Sequence, residues 1–273
     1  MKTSHFRQAW RFVRLLNHLL LGLIEAGFYF QRRTPADRVR AVARWSRRLC
    51  LILGVKVRVR GVVPAPMPAN TMLVANHVSW LDIFVMNAGT VARFVAKAEV
   101  RHWPLLGWLC QRTGTLFVTR ERRHDTRRVN TEIADALSQG DCIAVFPEGS
   151  TTDGTDVATF NASLLQPAIE AGAQIIPVAL CYYDRRGQRT TVAAYVGEMS
   201  LLDSLRALLA EPSLVAELTY LPALPAAQAQ RRELARLAQQ QIRSVVRPEA
   251  AVNATPAPVV VVMAPEIPVH PPI

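Results

Sequence analysis

Hydrophobic and polar positions change their spacing several times along this chain, and each change marks an element. Leu15–Phe30 is an apolar run interrupted by Asn17, His18 and Glu25. A bilayer-spanning helix needs ~20 mostly apolar residues, so this run is short and impure for that role. Basic residues stand on both sides of it, Lys2, Arg7, Arg11 and Arg14 before and Arg32 and Arg33 after. A helix lying on or dipping into one leaflet fits this pattern. A single span and a signal peptide are the competing readings, although no A-x-A cleavage site follows. From Ala36 to Leu53, the apolar positions Val39, Val42, Trp45, Leu49 and Ile52 recur every three or four residues, with Arg38, Arg40, Arg44, Arg47 and Arg48 on other faces. That is a basic amphipathic helix, a pattern shared by membrane-surface helices and by ordinary core helices with a solvated face.

Beyond Gly54 the period shortens. Val55–Arg60 alternates apolar with basic, as a half-exposed strand does. Prolines 64, 66 and 68 break the chain, and Thr71–Asn76 then reads as a more buried strand. The pattern predicts further strands at Phe94–Lys97, Thr115–Thr119, Cys142–Phe146, Ile175–Leu180, Thr191–Val196 and Val215–Leu221. Helices are predicted from Ser79 to about Asn87, around Pro104–Gln111, and over Arg122–Gln139, Leu164–Glu170 and Ala226–Val246. Strands alternating with helices predict an α/β fold, a mostly parallel sheet flanked by helices. The expected division is a membrane-docking helical pair over 1–53, an α/β domain over 54–247 and a disordered Pro/Ala/Val-rich tail over 248–273.

Charge sharpens this picture. Residues 1–60 carry 14 Lys and Arg against Glu25 and Asp37, while the other 213 residues carry 18 against 19 acids. The excess of +11 is therefore N-terminal and flanks the apolar run. A cluster so placed points to anionic lipid, and no nucleic-acid motif accompanies it. Cys50, Cys110, Cys142 and Cys181 sit apart in apolar stretches, the pattern of reduced, packed thiols in a cytosolic setting.

The candidate chemistry begins at Asn76-His77-Val78-Ser79-Trp80-Leu81-Asp82, where a buried strand turns into a helix. Carboxyl ends of strands face the crevice in which α/β proteins bind ligands. An imidazole there can exchange a proton near neutral pH. Asp82, one helical turn further on, can reach the other ring nitrogen, fix the tautomer and support the imidazolium. This makes a dyad without a protein nucleophile, so that a substrate hydroxyl would attack. The same residues also read as plain structure: Ser79-x-x-Asp82 resembles a capping box, and a His near a strand end is often a hydrogen-bonded core residue. A second block, Phe146-Pro147-Glu148-Gly149-Ser150-Thr151-Thr152-Asp153-Gly154, follows another buried strand and forms a polar loop, or an ordinary turn. Gly114-Thr115-Leu116-Phe117-Val118-Thr119-Arg120 and Ile175-Ile176-Pro177-Val178 complete the set.

These four blocks, in this order, resemble the glycerophospholipid acyltransferase family that includes 1-acylglycerol-3-phosphate acyltransferases. The resemblance runs from about Val55 to Val196. It extends to Ala96-Lys97-Ala98-Glu99 followed by Trp103-Pro104. The resemblance implies a thioester donor, acyl-CoA or acyl-carrier protein, and a lysolipid acceptor whose hydroxyl gives its proton to His77. It implies that Asp82 orients His77, that no metal or cofactor is needed, and that the enzyme works at the cytoplasmic face of the inner membrane. Glu148 and Gly149 would shape the acceptor site, with Ser150 and Thr151 beside them. Arg120, with Lys97, would bind an anionic group. The family's third block usually continues with Thr-Arg, where this chain has Ser150-Thr151. The string Glu148 to Gly154 is more similar to bacterial acyltransferases acting on lyso-ornithine lipid, an acceptor without phosphate. Two other readings compete. A non-catalytic membrane-binding protein could keep the fold, but His77 and Asp82 are intact. A hydrolase would need a Ser or Cys nucleophile, and no G-x-S-x-G elbow exists.

Overall fold

Ser4 opens the first helix, its hydroxyl accepting from the Arg7 amide. In the computed structural model, which describes residues 3–64, 67–102, 106–118 and 123–248, helix α1 runs over His5–Ile24. A π turn, Glu25–Tyr29, and a 3-10 turn carry it on to Arg32, 28 residues in all. It is long and apolar enough to cross a membrane, but only one stripe of it is covered by protein: Leu15, His18, Gly22, Ala26 and Phe30 are buried, while Phe6, Trp10, Leu16, Leu20 and Phe28 are exposed. Thr34 accepts from the Asp37 amide and Pro35 supplies the first position of α2, Pro35–Ile52. The two helices pack through His18, whose ring stacks on Trp45 at 4.7 Å, and through Gly22, where any Cβ would meet the Trp45 indole. Gly54, with φ of +78°, ends the pair.

Strand β1 is Val55–Arg60 and β2 is Thr71–Ala75, followed by helix α3, Asp82–Gly89. Then come β3 (Arg93–Lys97), α4 (Leu106–Arg112), β4 (Leu116–Val118), α5 (Arg123–Ser138) and β5 (Cys142–Val145). The chain closes with α6 (Gln166–Glu170), β6 (Gln174–Tyr183), α7 (Leu201–Ala210), β7 (Leu214–Tyr220), β8 (Leu224–Pro225) and α8 (Arg231–Val246). The sheet order is β1-β7-β6-β2-β5-β3-β4, with β8 paired to β6. Every pairing is parallel except those of β6 with β7 and β8. The fold is thus the mostly parallel α/β sheet that the sequence predicts.

All five residues of β2 are buried, because both sheet faces are covered there. Leu73 and Ala75 face α2, α3 and α7, whereas Met72 and Val74 face α5, α6 and α8. The helical pair shares the first of these cores: Leu15, Leu49, Ile52 and Leu53 pack in the same cluster as Val85 and Leu180. Arg47 donates to the Ala88 carbonyl at 2.8 Å, and Arg11 donates to the Glu211 and Pro212 carbonyls beyond the end of α7. Burial pushes all four thiols up, those of Cys50 and Cys142 to about 12, so they are poor nucleophiles.

One predicted strand is absent. Thr191–Val196 forms turns and extended chain with Ala193 and Ala194 buried. The returning chain does meet β6 beyond the end of β2, where Arg189 bridges Tyr183 and the Thr190 amide donates to the Tyr182 carbonyl at 3.1 Å, but the next groups on that edge, those of Leu180, are taken by the Asn76 side chain. It folds toward the β2–α3 turn instead, where the Tyr195 amide donates to the Val78 carbonyl at 2.9 Å. The final helix also starts later than predicted, at Arg231, because residues 224–225 pair as β8. The proposed tail, 248–273, lies outside the described residues apart from Pro248.

Candidate active site

The site forms where β2 leaves the sheet. Asn76 makes that exit possible. Its side chain donates to the Leu180 carbonyl at 3.0 Å and accepts from the Leu180 amide at 2.8 Å, replacing the next rung of the β2–β6 ladder. The main chain is then free to turn, and His77 Nδ1 comes to 2.8 Å from Asp82 Oδ2.

Asp82 is completely buried. An isolated carboxylate could not be held there, and four donors surround this one. Oδ2 accepts from His77, from the Val78 amide at 2.7 Å and from the Ser79 amide at 2.8 Å. Oδ1 accepts from the Tyr182 hydroxyl at 2.7 Å. The Ser79 amide bond is the capping interaction that the Ser-x-x-Asp spacing allows, so one oxygen of Asp82 both starts α3 and holds the imidazole. Tyr182 lies 100 residues away in sequence, and burial pushes its phenol well above the ordinary range, with the Asp82 charge adding to this. It therefore stays a hydroxyl donor.

The imidazole lies flat on Phe146, with ring centroids 4.0 Å apart and 8° between planes, and Phe94 stacks behind Phe146 at 5.8 Å. With Nδ1 bonded to Asp82, the proton on that nitrogen is fixed and Nε2 is left as the basic position. Among the described residues, no serine, threonine or cysteine side chain hydrogen-bonds Nε2.

Glu148 does not face the imidazole as an acid would. Its Oε1 accepts from the His77 amide at 2.7 Å and its Oε2 from the Ala158 amide at 2.9 Å, so it ties the loop after β5 to the backbone of His77. Burial raises the Glu148 carboxyl above the ordinary glutamate range, while these two amides pull it back down. Gly149 makes the tight turn, with φ of +78° and its amide on the Phe146 carbonyl. Thr152 caps the His77 carbonyl through its amide at 2.8 Å and its hydroxyl at 3.2 Å.

The acyltransferase family model matches residues 56–181, from β1 into β6. A lyso-ornithine lipid O-acyltransferase of Pseudomonas aeruginosa is 39% identical over 259 residues, which cover 92% of this chain and 98% of that protein. This chain belongs to the acyltransferase family. A 1-acyl-sn-glycerol-3-phosphate acyltransferase of Neisseria gonorrhoeae is 36% identical over 218 residues, covering 79% of this chain and 84% of its own. Among solved structures, the 1-acyl-sn-glycerophosphate acyltransferase PlsC of Thermotoga maritima aligns with a TM-score of 0.61, covering 86% of this chain and 96% of that one. At 21% identity that likeness is one of fold.

Within this acyltransferase, the structure brings together His77, Asp82, Glu148, Gly149 and Thr151 around the β2–α3 turn. Ser150 is exposed. The Thr151 hydroxyl donates to the Tyr195 carbonyl and so joins the loop to the 191–196 segment. Arg120 lies outside the described residues, as does the side chain of Lys97 at the end of β3. Two contributors escaped sequence reading. Tyr182 carries no local signal, since its partner is remote in the chain. Phe146 stands inside the Phe-Pro-Glu-Gly block, but nothing in the spacing says that its ring supports the imidazole.

Proposed function

We propose that this acyltransferase moves an acyl chain from an acyl thioester, acyl-CoA or acyl-ACP, to the hydroxyl of a lysolipid at the cytoplasmic face of the inner membrane. The observation that carries this reading is the 2.8 Å bond from His77 Nδ1 to a buried Asp82 whose carboxylate has three further donors. His77 Nε2 takes the proton of the acceptor hydroxyl, and the oxygen attacks the thioester carbonyl carbon. As the tetrahedral intermediate collapses, the C–S bond breaks and the imidazolium returns the proton to the leaving thiolate. The products are the acylated lipid and the free thiol. Asp82 keeps the imidazole in the useful tautomer and balances its charge while the proton is held. Glu148, Gly149 and the hydroxyls of Ser150 and Thr151 border the acceptor, with Arg120 and Lys97 as its cations.

For the acceptor, lyso-ornithine lipid is favoured. The Pseudomonas aeruginosa relative named for that substrate aligns over nearly its whole length. Threonine at position 151, bonded to Tyr195, also supplies no charge for a phosphate. The N-terminal pair, with its exposed Phe6, Trp10, Leu16 and Leu20 beside arginines, supports membrane association. The test is a panel of lysolipids with purified protein and both donor types. Turnover of lyso-ornithine lipid above lysophosphatidic acid is expected. Acylation of neither, by a folded protein, would return the non-catalytic reading.

A further inference from the structure

The arginines of the helical pair are not equivalent. Arg11, Arg38 and Arg47 donate to backbone carbonyls. Arg33 and Arg40 pair with Glu25 and Asp37, the two acids of this region. Arg14 of α1 and Arg48 of α2 have no such partner among the described residues. Both line one small cavity between the helices, about 50 Å³, whose other walls are Asn17, His18, Leu21 and Ile52. Among the described residues, no carboxylate lines it. Two arginines lining one cavity without a counter-charge repel each other, in part screened by solvent, and an anion bound between them would cancel that repulsion. A space of this size takes a group of a few heavy atoms, at roughly 10–15 Å³ for each water-sized one. Around it, Leu16, Leu20, Ile24 and Leu51 are exposed, an apolar rim beside a cationic notch.

We propose that this notch is a binding site for the phosphate of an anionic phospholipid headgroup, gripped by Arg14 and Arg48 with the Asn17 amide as a further donor. Guanidinium groups bind phosphate oxygens by paired, charge-assisted hydrogen bonds. The apolar rim commits the notch to a lipid, because Leu16, Leu20 and Leu51 would enter the acyl layer while the arginines stay at headgroup depth. The inference rests on the reading that the helical pair lies on a membrane, and it adds a discrete site to a surface otherwise described only by its net charge.

The experiment measures binding to phosphatidylcholine vesicles with and without phosphatidylglycerol at moderate salt. It compares wild type with Arg14→Gln/Arg48→Gln and with Arg7→Gln/Arg44→Gln, which removes the same charge from exposed positions of the same helices. All four side chains are exposed, so folding should be unaffected, which melting curves check. The notch variant should lose the phosphatidylglycerol-dependent part of binding on the order of tenfold more than the control variant. Binding to phosphatidylcholine alone, whose phosphate is already neutralised by its own choline cation, should differ far less among the three proteins. Equal losses in the two double variants would overturn the site and leave smeared surface charge. Binding of inorganic phosphate to wild type without vesicles at least as tight as binding to the lipid, and lost in the notch variant, would overturn the lipid in favour of free phosphate. If wild type binds no vesicle at all, the membrane reading itself fails, and the site fails with it.

Discussion

Replacing Tyr182 by phenylalanine removes a single hydroxyl and keeps the ring that packs between α2 and the sheet. The hydroxyl is the donor to Asp82 Oδ1, in a place where the aspartate has no exposed surface. Leaving a buried acceptor without its donor costs about 2 kcal/mol, and the charge on this one puts it toward the upper end of that range. For a domain of this size, such a loss lowers Tm by about 4–8 °C. The dyad itself survives, since Oδ2 keeps His77 and the Val78 and Ser79 amides. Turnover should therefore fall only about tenfold, well short of the ~10²–10⁴-fold that a general base supplies. A carboxylate with one donor fewer holds the imidazolium more firmly, so the acid limb of the kcat/KM profile should move to higher pH. The assay is a pH series of thiol release with a fixed lysolipid, run beside a melting curve. A fall in Tm with an unmoved acid limb would make Tyr182 a packing residue and refute its positioning role. An unchanged Tm would refute the cost assigned to the orphaned oxygen.

Three further outcomes are expected. His77→Ala should abolish acyl transfer, by ~10²–10⁴-fold, with melting behaviour little changed, and Asp82→Asn should lower both rate and Tm because its oxygen also starts α3; rates and melting curves on the same preparations check both. Glu148 has a carboxyl raised in the folded state, so its stabilising contribution is full below the ordinary glutamate range and is lost as pH rises through the raised value. The Tm difference between wild type and Glu148→Gln should accordingly move in favour of wild type between about pH 7 and about pH 4, while activity of wild type falls as one oxygen stops accepting from the His77 or Ala158 amide; movement the other way refutes the burial effect. Thr151→Arg should raise activity on lysophosphatidic acid relative to lyso-ornithine lipid, at a cost of about 1 kcal/mol for the lost bond to the Tyr195 carbonyl, and a ratio that does not change removes position 151 from specificity.

Much of this structure can be read from the chain where local and global demands coincide. Four of the five buried residues of β2, Met72–Ala75, form an unbroken apolar run because the strand is covered on both faces. Pro35 after Thr34 marks the start of α2 because a capping hydroxyl and a fixed φ serve any helix. His77 and Asp82 are five residues apart across the β2–α3 turn, so their meeting needs only local backbone, held by the Asn76 side chain and by the Ser79 amide on Asp82. What could not be read depends on partners far away in sequence. Thr191–Val196 has the composition of a strand, but whether it becomes one depends on the edge of β6, where the Asn76 side chain already holds Leu180 and the pairing stops at Thr190. The Tyr182 hydroxyl acts on Asp82 only because β6 runs on past the end of β2. The alternation of apolar and basic residues in α2 is equally compatible with a detachable surface helix and with one whose inner face joins the core.

The second case is the one found, and it constrains anyone who would handle this enzyme without lipid. Leu49, Ile52 and Leu53 belong to the same apolar cluster as α3, the helix that begins at Asp82, and Trp45 lies against Phe84 of that helix at 5.5 Å. Cutting the chain at residue 53 would strip one wall from the compartment that holds the dyad. A soluble form is better sought on the outer side of α1, by exchanging Phe6, Trp10, Leu16 and Leu20 for polar residues and leaving α2 in place.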